Sequence, residues 1–493
     1  MGIAFVPLYV DALGAEAYGL IGVFTILQAG MTLLDFGLTP TLTREMARLR
    51  AGARTAISIR DLLRSLEMIY ALLAFVITLT VWISAPVLRT VWIKSDHLSS
   101  GIIVESLRIM GLVLATRWLE QIYRGSLQGL QDLVWLNAAQ AILATFRWGG
   151  AYVVVAHVDH SVVAFFVWQG AISIVTIAVL IFRTYRVLPP SRNAGRFNLE
   201  VLREIRGFAG GMFLGTLLTF VLTQADKFMV SKALPLEQLA YYTLASTIAG
   251  GLLQLTIPMN TAVYPRLTDQ VTRGDYANLT HTYERACEWI AALLIPPALL
   301  LAFFPIPILV VWSGNLKLAE SVGPVLTLLV LGTLSNGLMN VPYMLQLAHG
   351  WTSLSVKVNV AAVFLIVPAL LWAEPRFGMI GAASAWLILN VVCLGLVIHL
   401  MHKMILPHIK WRWINRAVVL PLSVGVVVAL FIRALTPIPS SRISAGLIGL
   451  LSLATLTASV GGVLPTVRQA TRSSASALVR GSIARVAAFR RHP

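Results

Sequence analysis

Long apolar runs alternate with short polar segments along the whole chain. The runs span 1–13, 17–39, 66–93, 102–123, 133–155, 162–182, 207–231, 239–264, 286–312, 322–348, 354–373, 378–398, 417–432 and 443–464. Within each, hydrophobic residues are near-continuous and do not alternate with polar ones, which predicts helices rather than half-buried strands. Crossing a hydrocarbon core about 30 Å thick takes about 20 such residues. A backbone in lipid must satisfy its own hydrogen bonds, which permits helices or closed barrels. The pattern therefore predicts an all-α integral membrane protein with about 14 transmembrane helices. The first run is short: 1–13 reaches only about 20 Å at a helical rise of about 1.5 Å per residue. It reads as a truncated span or as one that enters from a single side.

Composition supports this reading. Hydrophobic residues make up 57% of the 493 and charged residues 12%, whereas a soluble domain carries about 25% charge. No aqueous domain large enough for a separate enzyme remains. The net charge of +17 would suit nucleic acid, but its placement argues for a membrane and against a nucleic-acid partner. The segments 41–65, 183–206, 265–285 and 399–416 hold 6, 6, 3 and 4 Lys or Arg, the tail after 465 holds 6, and Arg124 makes 26. The alternate segments hold Lys94, Lys232, Lys317, Arg376, Arg433 and Arg442, a total of 6. Positive-inside bias then puts the N-terminus, the 183–206 segment and the C-terminus in the cytoplasm. Cys287 and Cys393 sit inside apolar runs without metal or disulfide spacing. No cleavable leader precedes the first run. His157, Asp159 and His160 cluster between two runs, and a polar loop explains them better than a metal site. No phosphate-binding loop, nucleophile elbow or zinc motif occurs, so no cofactor and no metal is expected.

The two halves repeat. Arg64, Glu67, Ile69, Ala71, Leu72 and Leu73 recur as Arg285, Glu288, Ile290, Ala292, Leu293 and Leu294 at an offset of 221. Pro86 and Leu88 recur as Pro307 and Leu309, and Gly129 as Gly350. Tyr18 pairs with Tyr241 and Arg44 with Arg266, with slips of one or two. Six runs separate equivalent positions, an even number, which predicts a parallel repeat about an axis along the membrane normal. The organisation expected is a six-helix lobe at 1–182, a cytoplasmic linker at 183–206, a second six-helix lobe at 207–404, two extra spans at 405–464 and a basic tail at 465–493. The tail suits either an amphipathic helix on anionic lipid or a disordered segment.

Several motifs resemble a known family. They are G-A-E-A-Y-G from Gly14, L-L-D-F-G-L-T-P-T-L-T-R-E-M-A-R from Leu33, T-Q-A-D-K from Thr223, A-Y-Y-T-L-A-S-T from Ala240, V-Y-P-R-L from Val263 and N-G-L-M-N-V-P-Y-M-L-Q-L-A-H-G-W from Asn336. Together they look like bacterial polysaccharide-biosynthesis flippases of the O-antigen (Wzx-type) kind, within the multidrug and oligosaccharidyl-lipid exporter superfamily. The match covers most of 1–415. The resemblance implies two lobes around a cavity lined by spans 1, 2, 7 and 8. The implied cargo is a polyprenyl-diphosphate-linked oligosaccharide, carried from the cytoplasmic to the periplasmic leaflet of the bacterial inner membrane for lipopolysaccharide or related surface polysaccharide. Membrane lipid and other polysaccharide-assembly proteins are the further partners implied. Family members begin with a cytoplasmic stub and a full first span, and this sequence departs from that pattern.

Charges within the spans supply the candidate chemistry. Arg89, Arg108, Arg117, Arg147, Lys227 and Lys357 fall at membrane depth, as do Asp35, Glu67, Glu105, Glu120, Asp226 and Glu288. Each would cost about 2.5–3.5 kcal/mol at the bilayer centre, so each faces protein or a wet cavity. On span four, Glu105 and Arg108, Arg117 and Glu120, and Glu120 and Arg124 share helix faces. They read either as local neutralisation or as a polar lumen in which Glu120 tunes Arg117. Arg147 has no acid three or four residues away, so it needs an interhelical partner or a phosphate, to which its planar fork is suited. Asp226 and Lys227 lie on span seven, where Asp226 suits either an ion-coupling role or a structural pair. The repeated Arg–Glu pairs at 64/67 and 285/288 read as structural. Arg44 and Arg266 obey the positive-inside bias or clamp a diphosphate. Gln28 and Gln254 are uncharged candidates for sugar hydroxyls. The candidate substrate-binding set is thus Arg44, Arg117, Arg147, Lys227, Arg266, Gln28 and Gln254, and the ion-coupling set is Asp226, Glu120 and Asp35. The reading is a non-enzymatic flippase working by alternating access. Its rivals are an ion-coupled drug or lipid exporter of the same superfamily and a membrane-embedded polysaccharide polymerase or ligase.

Overall fold

The computed structural model describes residues 2–35, 38–50, 55–93, 95, 98–190, 195–349, 351–436 and 442–470, and among these there is no strand. The chain divides into two compact units, Met1–Leu244 and Ala245–Pro493. The first contains α1 (Gly2–Leu13), α2 (Ala15–Leu34), α3 (Leu38–Arg50), α4 (Ala56–Val91), α5 (Ser100–Gly129), α6 (Leu133–His157), α7 (Val162–Val187) and α8 (Leu199–Ala233). Helix α9 (Leu236–Gln254) begins in this unit.

Helix α5 is the hub, packing against α2, α3, α4, α6 and α7. Its buried face includes Ser106, Gly111, Ala115, Gly125, Ser126 and Gly129. Such small residues let backbones approach closely where lipid supplies no hydrophobic drive. The approach is tightest at Gly129, where an added Cβ would lie 2.2 Å from the Thr43 carbonyl oxygen on α3. Arg50 closes this crossing by donating to the Leu130 carbonyl at 2.8 Å.

Helix α4 shows why the outside is lipid. Thr55 caps its N-terminus by accepting from the Ser58 amide at 3.2 Å. Its 36 residues extend for about 54 Å, well beyond the hydrocarbon thickness, so its first turns reach past the core. Leu66, Tyr70, Ala74 and Ile77 are buried, while Leu72, Phe75, Leu79, Trp82 and Ile83 form an exposed apolar stripe. In water that stripe would be a liability, whereas in a bilayer it is the solvent-facing side.

The second unit holds the rest of α9, then α10 (Ile257–Arg273), α11 (Tyr276–Phe303), α12 (Pro305–Ser313), α13 (Leu316–Leu338), α14 (Asn340–Ala348), α15 (Thr352–Met404), α16 (Lys410–Trp413), α17 (Leu420–Leu435) and α18 (Arg442–Val463). A short 3₁₀ turn, Pro407–Ile409, precedes α16, and a π-helical stretch, Ile414–Val419, joins it to α17. Helix α15 is two helices meeting at Gly378, whose φ of 57° and ψ of −137° no helix accommodates. The expected spans 354–373 and 378–398 are its two arms.

The 221-residue offset also holds in the element order. It carries Ala15–Leu34 onto α9, Leu38–Arg50 onto α10, Ala56–Val91 onto α11 with α12, and Ser100–Gly129 onto α13 with α14. The copies differ in continuity. Helices α4 and α5 are unbroken, whereas their counterparts break at Phe304 and Met339. Seven helices among the described residues are long and apolar enough to cross a membrane, including the joined α13–α14 and the long α15. Expected spans eight, nine and ten are each divided in two, and part of the expected loop at 41–65 is helix α3. The tail beyond 470, Gly350 and Lys94 lie outside the described residues.

Candidate functional site

In the first unit, polar side chains from α2, α5, α6 and α7 meet inside an otherwise apolar bundle. Arg117 on α5 donates through Nη1 to Gln28 Oε1 on α2 at 2.7 Å and through Nη2 to Gln169 Oε1 on α7 at 2.5 Å. Its guanidinium lies 4.9 Å from the centre of the Phe24 ring. One turn further along α5, Glu120 receives Arg147 Nη2 from α6 at 3.0 Å. The same nitrogen reaches Thr176 Oγ1 on α7 at 3.2 Å. Gln169 is fully buried and Glu120 nearly so.

The sequence spacing leaves Arg147 without a local partner, and Glu120 of the neighbouring helix is that partner. The i, i+3 and i, i+4 placements of Glu120 with Arg117 and Arg124 do not decide its hydrogen bonding, which goes to another helix. Arg124 instead donates to Gln140 Oε1 at 3.2 Å. The cluster holds two guanidinium groups against one carboxylate, so it keeps an uncompensated positive charge. Among the described residues, Arg117 Nε, Gln169 Nε2 and Ser173 Oγ are buried with no protein hydrogen-bond partner. Gln169, Ser173 and Thr176 are sites that sequence reasoning missed. Their signal was present, because 169, 173 and 176 lie four and three residues apart on one face of an apolar helix.

Asp35, Asp226 and Glu67 have structural partners. Asp35 accepts the Thr39 amide at 3.2 Å, and also the Thr39 and Tyr70 hydroxyls, so it caps the start of α3. Tyr70 stacks on Trp118 with ring centres 4.1 Å apart. Asp226 on α8 accepts the Tyr242 hydroxyl at 2.6 Å through Oδ2, while its buried Oδ1 has no partner among the described residues. The adjacent Lys227 is partly buried. Glu67 is a hub for Arg64, Tyr123 and Tyr185, at 3.1, 2.9 and 2.7 Å. Its repeat mate Glu288 accepts the Thr466 amide at 2.8 Å, so the duplicated sequence pair does not have duplicated geometry. Arg44 on α3 and Arg266 on α10 are exposed in separate units, as is Gln254 at the end of α9.

In the second unit a set of neutral side chains, mostly amides, meets around one helix break. Asn260 donates to Asn340 Oδ1 at 2.9 Å, and Asn340 donates to Thr256 Oγ1 at 3.2 Å. Asn336 donates to Asn390 Oδ1 at 2.9 Å. These residues surround the break between α13 and α14 and tie it to neighbouring helices.

A bundle of apolar helices enclosing a cationic cluster suits a transporter of anionic cargo, and comparison decides the family. The model of the polysaccharide biosynthesis protein family matches residues 1–271. The chain belongs to this family. A second model, that of the MatE family, matches residues 212–372 of this polysaccharide biosynthesis protein. A Shigella flexneri protein that carries the name of an O-antigen transporter is 19% identical over 376 residues, covering 76% of this chain and 87% of the relative. Among solved structures, the lipid II flippase MurJ in an inward closed conformation aligns over 92% of this chain and 96% of its own, with a TM-score of 0.72 and 14% identity. An inward-facing multidrug resistance MATE transporter aligns over 82% and 97%, with a TM-score of 0.66 and 15% identity. The family member described here is therefore a multi-pass membrane protein with the transporter fold.

Proposed function

We propose that this chain is a flippase that moves a polyprenyl-diphosphate-linked oligosaccharide from the cytoplasmic to the periplasmic leaflet of the bacterial inner membrane. The observation that carries the reading is the Arg117–Arg147 cluster inside the first unit, with spare buried donors and net positive charge. A diphosphate is a fitting ligand for guanidinium forks. The names of the two relatives, an O-antigen transporter and a lipid II flippase, agree with that cargo class. Lobes 1–182 and 207–404, joined by the 183–206 linker, would alternate access while the lipid tail stays in the bilayer. The protein would not itself be an enzyme. Drug export is the second reading, favoured by the MatE match, but an excess of guanidinium groups disfavours cationic drugs.

Arg117 is the residue to test. Its two partners are neutral amides, so Arg117→Gln strands no buried carboxylate and the variant should insert and fold. Export of lipid-linked sugar should fall at least about tenfold, the effect of losing one charge-assisted contact. Arg117→Lys should recover part of it. Surface polysaccharide at the wild-type level in Arg117→Gln, with normal protein abundance, would remove this residue from the cargo path.

The 26-to-6 bias in basic residues motivates the orientation, with both termini cytoplasmic. Phe197 and His160 are exposed at opposite expected sides. In a background lacking Cys287 and Cys393, Phe197→Cys should react with an impermeant maleimide only after the cytoplasmic face is opened. His160→Cys should react in intact spheroplasts. The reverse pattern would invert the orientation.

A further inference from the structure

Away from the cationic cluster, the second unit carries a groove of about 340 Å³ between the end of α15 and the α16–α17 segment. One wall is Leu394, Gly395 and Ile398, and the other is Ile414 and Val418. His399, Lys410 and Trp411 stand at its rim. Gly395 borders the open space of the groove, where an added Cβ would meet nothing within 4 Å. The opposite wall includes the π-helical stretch Ile414–Val419, a helix form that often occurs at functional sites.

The rim has the chemistry of an anion site. Lys410 Nζ lies 2.7 Å from His399 Nδ1. A protonated ammonium can only donate there, so Nδ1 accepts and the imidazole proton sits on Nε2. Lys410 retains further N–H donors, and His399 offers its Nε2–H. The ammonium also lies 4.7 Å from the centre of the Trp411 ring. Trp411 is 73% exposed, the placement expected of an interfacial anchor. No acid occurs in 399–416. The nearby carboxylates of α11 are engaged, Glu284 with Arg412 and Glu288 with the Thr466 amide.

We infer that this groove is a binding site for an anionic phospholipid. One acyl chain would lie between α15 and α17, and the phosphate would sit on Lys410 and His399. Charge selects an anionic headgroup over a zwitterionic one. The site is separate from the cargo cluster and does not depend on it, so it can be tested without a transport assay.

The test uses the full chain in detergent with native mass spectrometry, titrated with phosphatidylglycerol or with phosphatidylcholine. The wild type should retain phosphatidylglycerol preferentially. Lys410→Gln should weaken that preference about fivefold, the effect of removing one interfacial cation, without altering the acyl groove. Gly395→Trp should fill the groove and displace both lipids. Lys410 is partly exposed and Gly395 faces open space, so both variants should elute and melt like the wild type. Inorganic phosphate should not compete at concentrations that leave the protein intact; if it displaces phosphatidylglycerol fully, the site is a phosphate site and not a lipid site. Unchanged phosphatidylglycerol retention in both variants would overturn the proposal, as would equal retention of the two lipids by the wild type.

Discussion

Replacing Arg147 with methionine should lower the unfolding free energy by about 3–5 kcal/mol, the usual result of removing one partner of a buried ion pair. Arg147 and Glu120 are 3.0 Å apart, with side chains 17% and 5% exposed. Methionine fills much of the space but strips the Glu120 carboxylate of its one hydrogen-bonded cation, leaving the unbonded charge of Arg117 one turn away on the same helix. The double variant Arg147→Met, Glu120→Leu removes both charges and should recover most of the loss. Buried pairs replaced by apolar residues of similar volume are often neutral or stabilising. Thermal melts in detergent of the wild type, both single variants and the double variant give the coupling directly. A stable Arg147→Met protein would mean that the pair is wetter than its burial suggests. Export by the double variant separates two roles. Restored stability with normal export makes Arg147 purely structural, and restored stability without export makes it a cargo contact.

The second large effect is steric. Gly129→Val should cost about 1–3 kcal/mol or more, because overpacking a tight crossing forces backbone shifts. The nearest atom to the new Cβ would be the Thr43 carbonyl oxygen at 2.2 Å, with the Met46 Cβ at 2.6 Å. A backbone carbonyl cannot swing aside as a long side chain can, so α3 must move off α5. The Arg50–Leu130 bond would go with it. Gly250→Ala is the control, since its Cβ meets nothing within 4 Å and helix propensity should make it neutral or better. Equal melting temperatures for Gly129→Val and the wild type would show that α3 is not held by this crossing.

The all-helical membrane character was legible because hydrophobicity without alternation has one meaning in a chain this poor in charge. The boundaries were less legible where structure depends on a few residues. Leu38–Arg50 reads as a basic loop because its charges outweigh its apolar positions, yet Asp35 caps it and Gly125 and Gly129 let it lie against α5. The divisions at Phe304 and Met339 sit inside runs whose hydropathy never falters. A proline at the first position of α12 marks one of them, but Pro86 at a similar place in α4 causes no break. Arg147 was identifiable as needing a distant partner, because the rule for local pairs is purely one of spacing. Which distant carboxylate served it depends on how α5 and α6 rotate about their axes, and apolar runs do not encode that rotation. Gln169 and Ser173 were passed over for a related reason. Neutral polar residues are common in membrane helices, and burial, not identity, separates those that matter.

The two copies of the repeat share a plan but not a stiffness. In the first, α4 and α5 are each one continuous rod. In the second, the corresponding rods are each jointed, one at Phe304 and one at Met339, with asparagines bracing the latter. A continuous helix passes a push at one end to the other almost undiminished, while a jointed one absorbs part of it as a bend. The protein thus carries a strut and a knee on one 221-residue plan, and a substitution that welds Met339 into a straight helix would turn the knee into a strut.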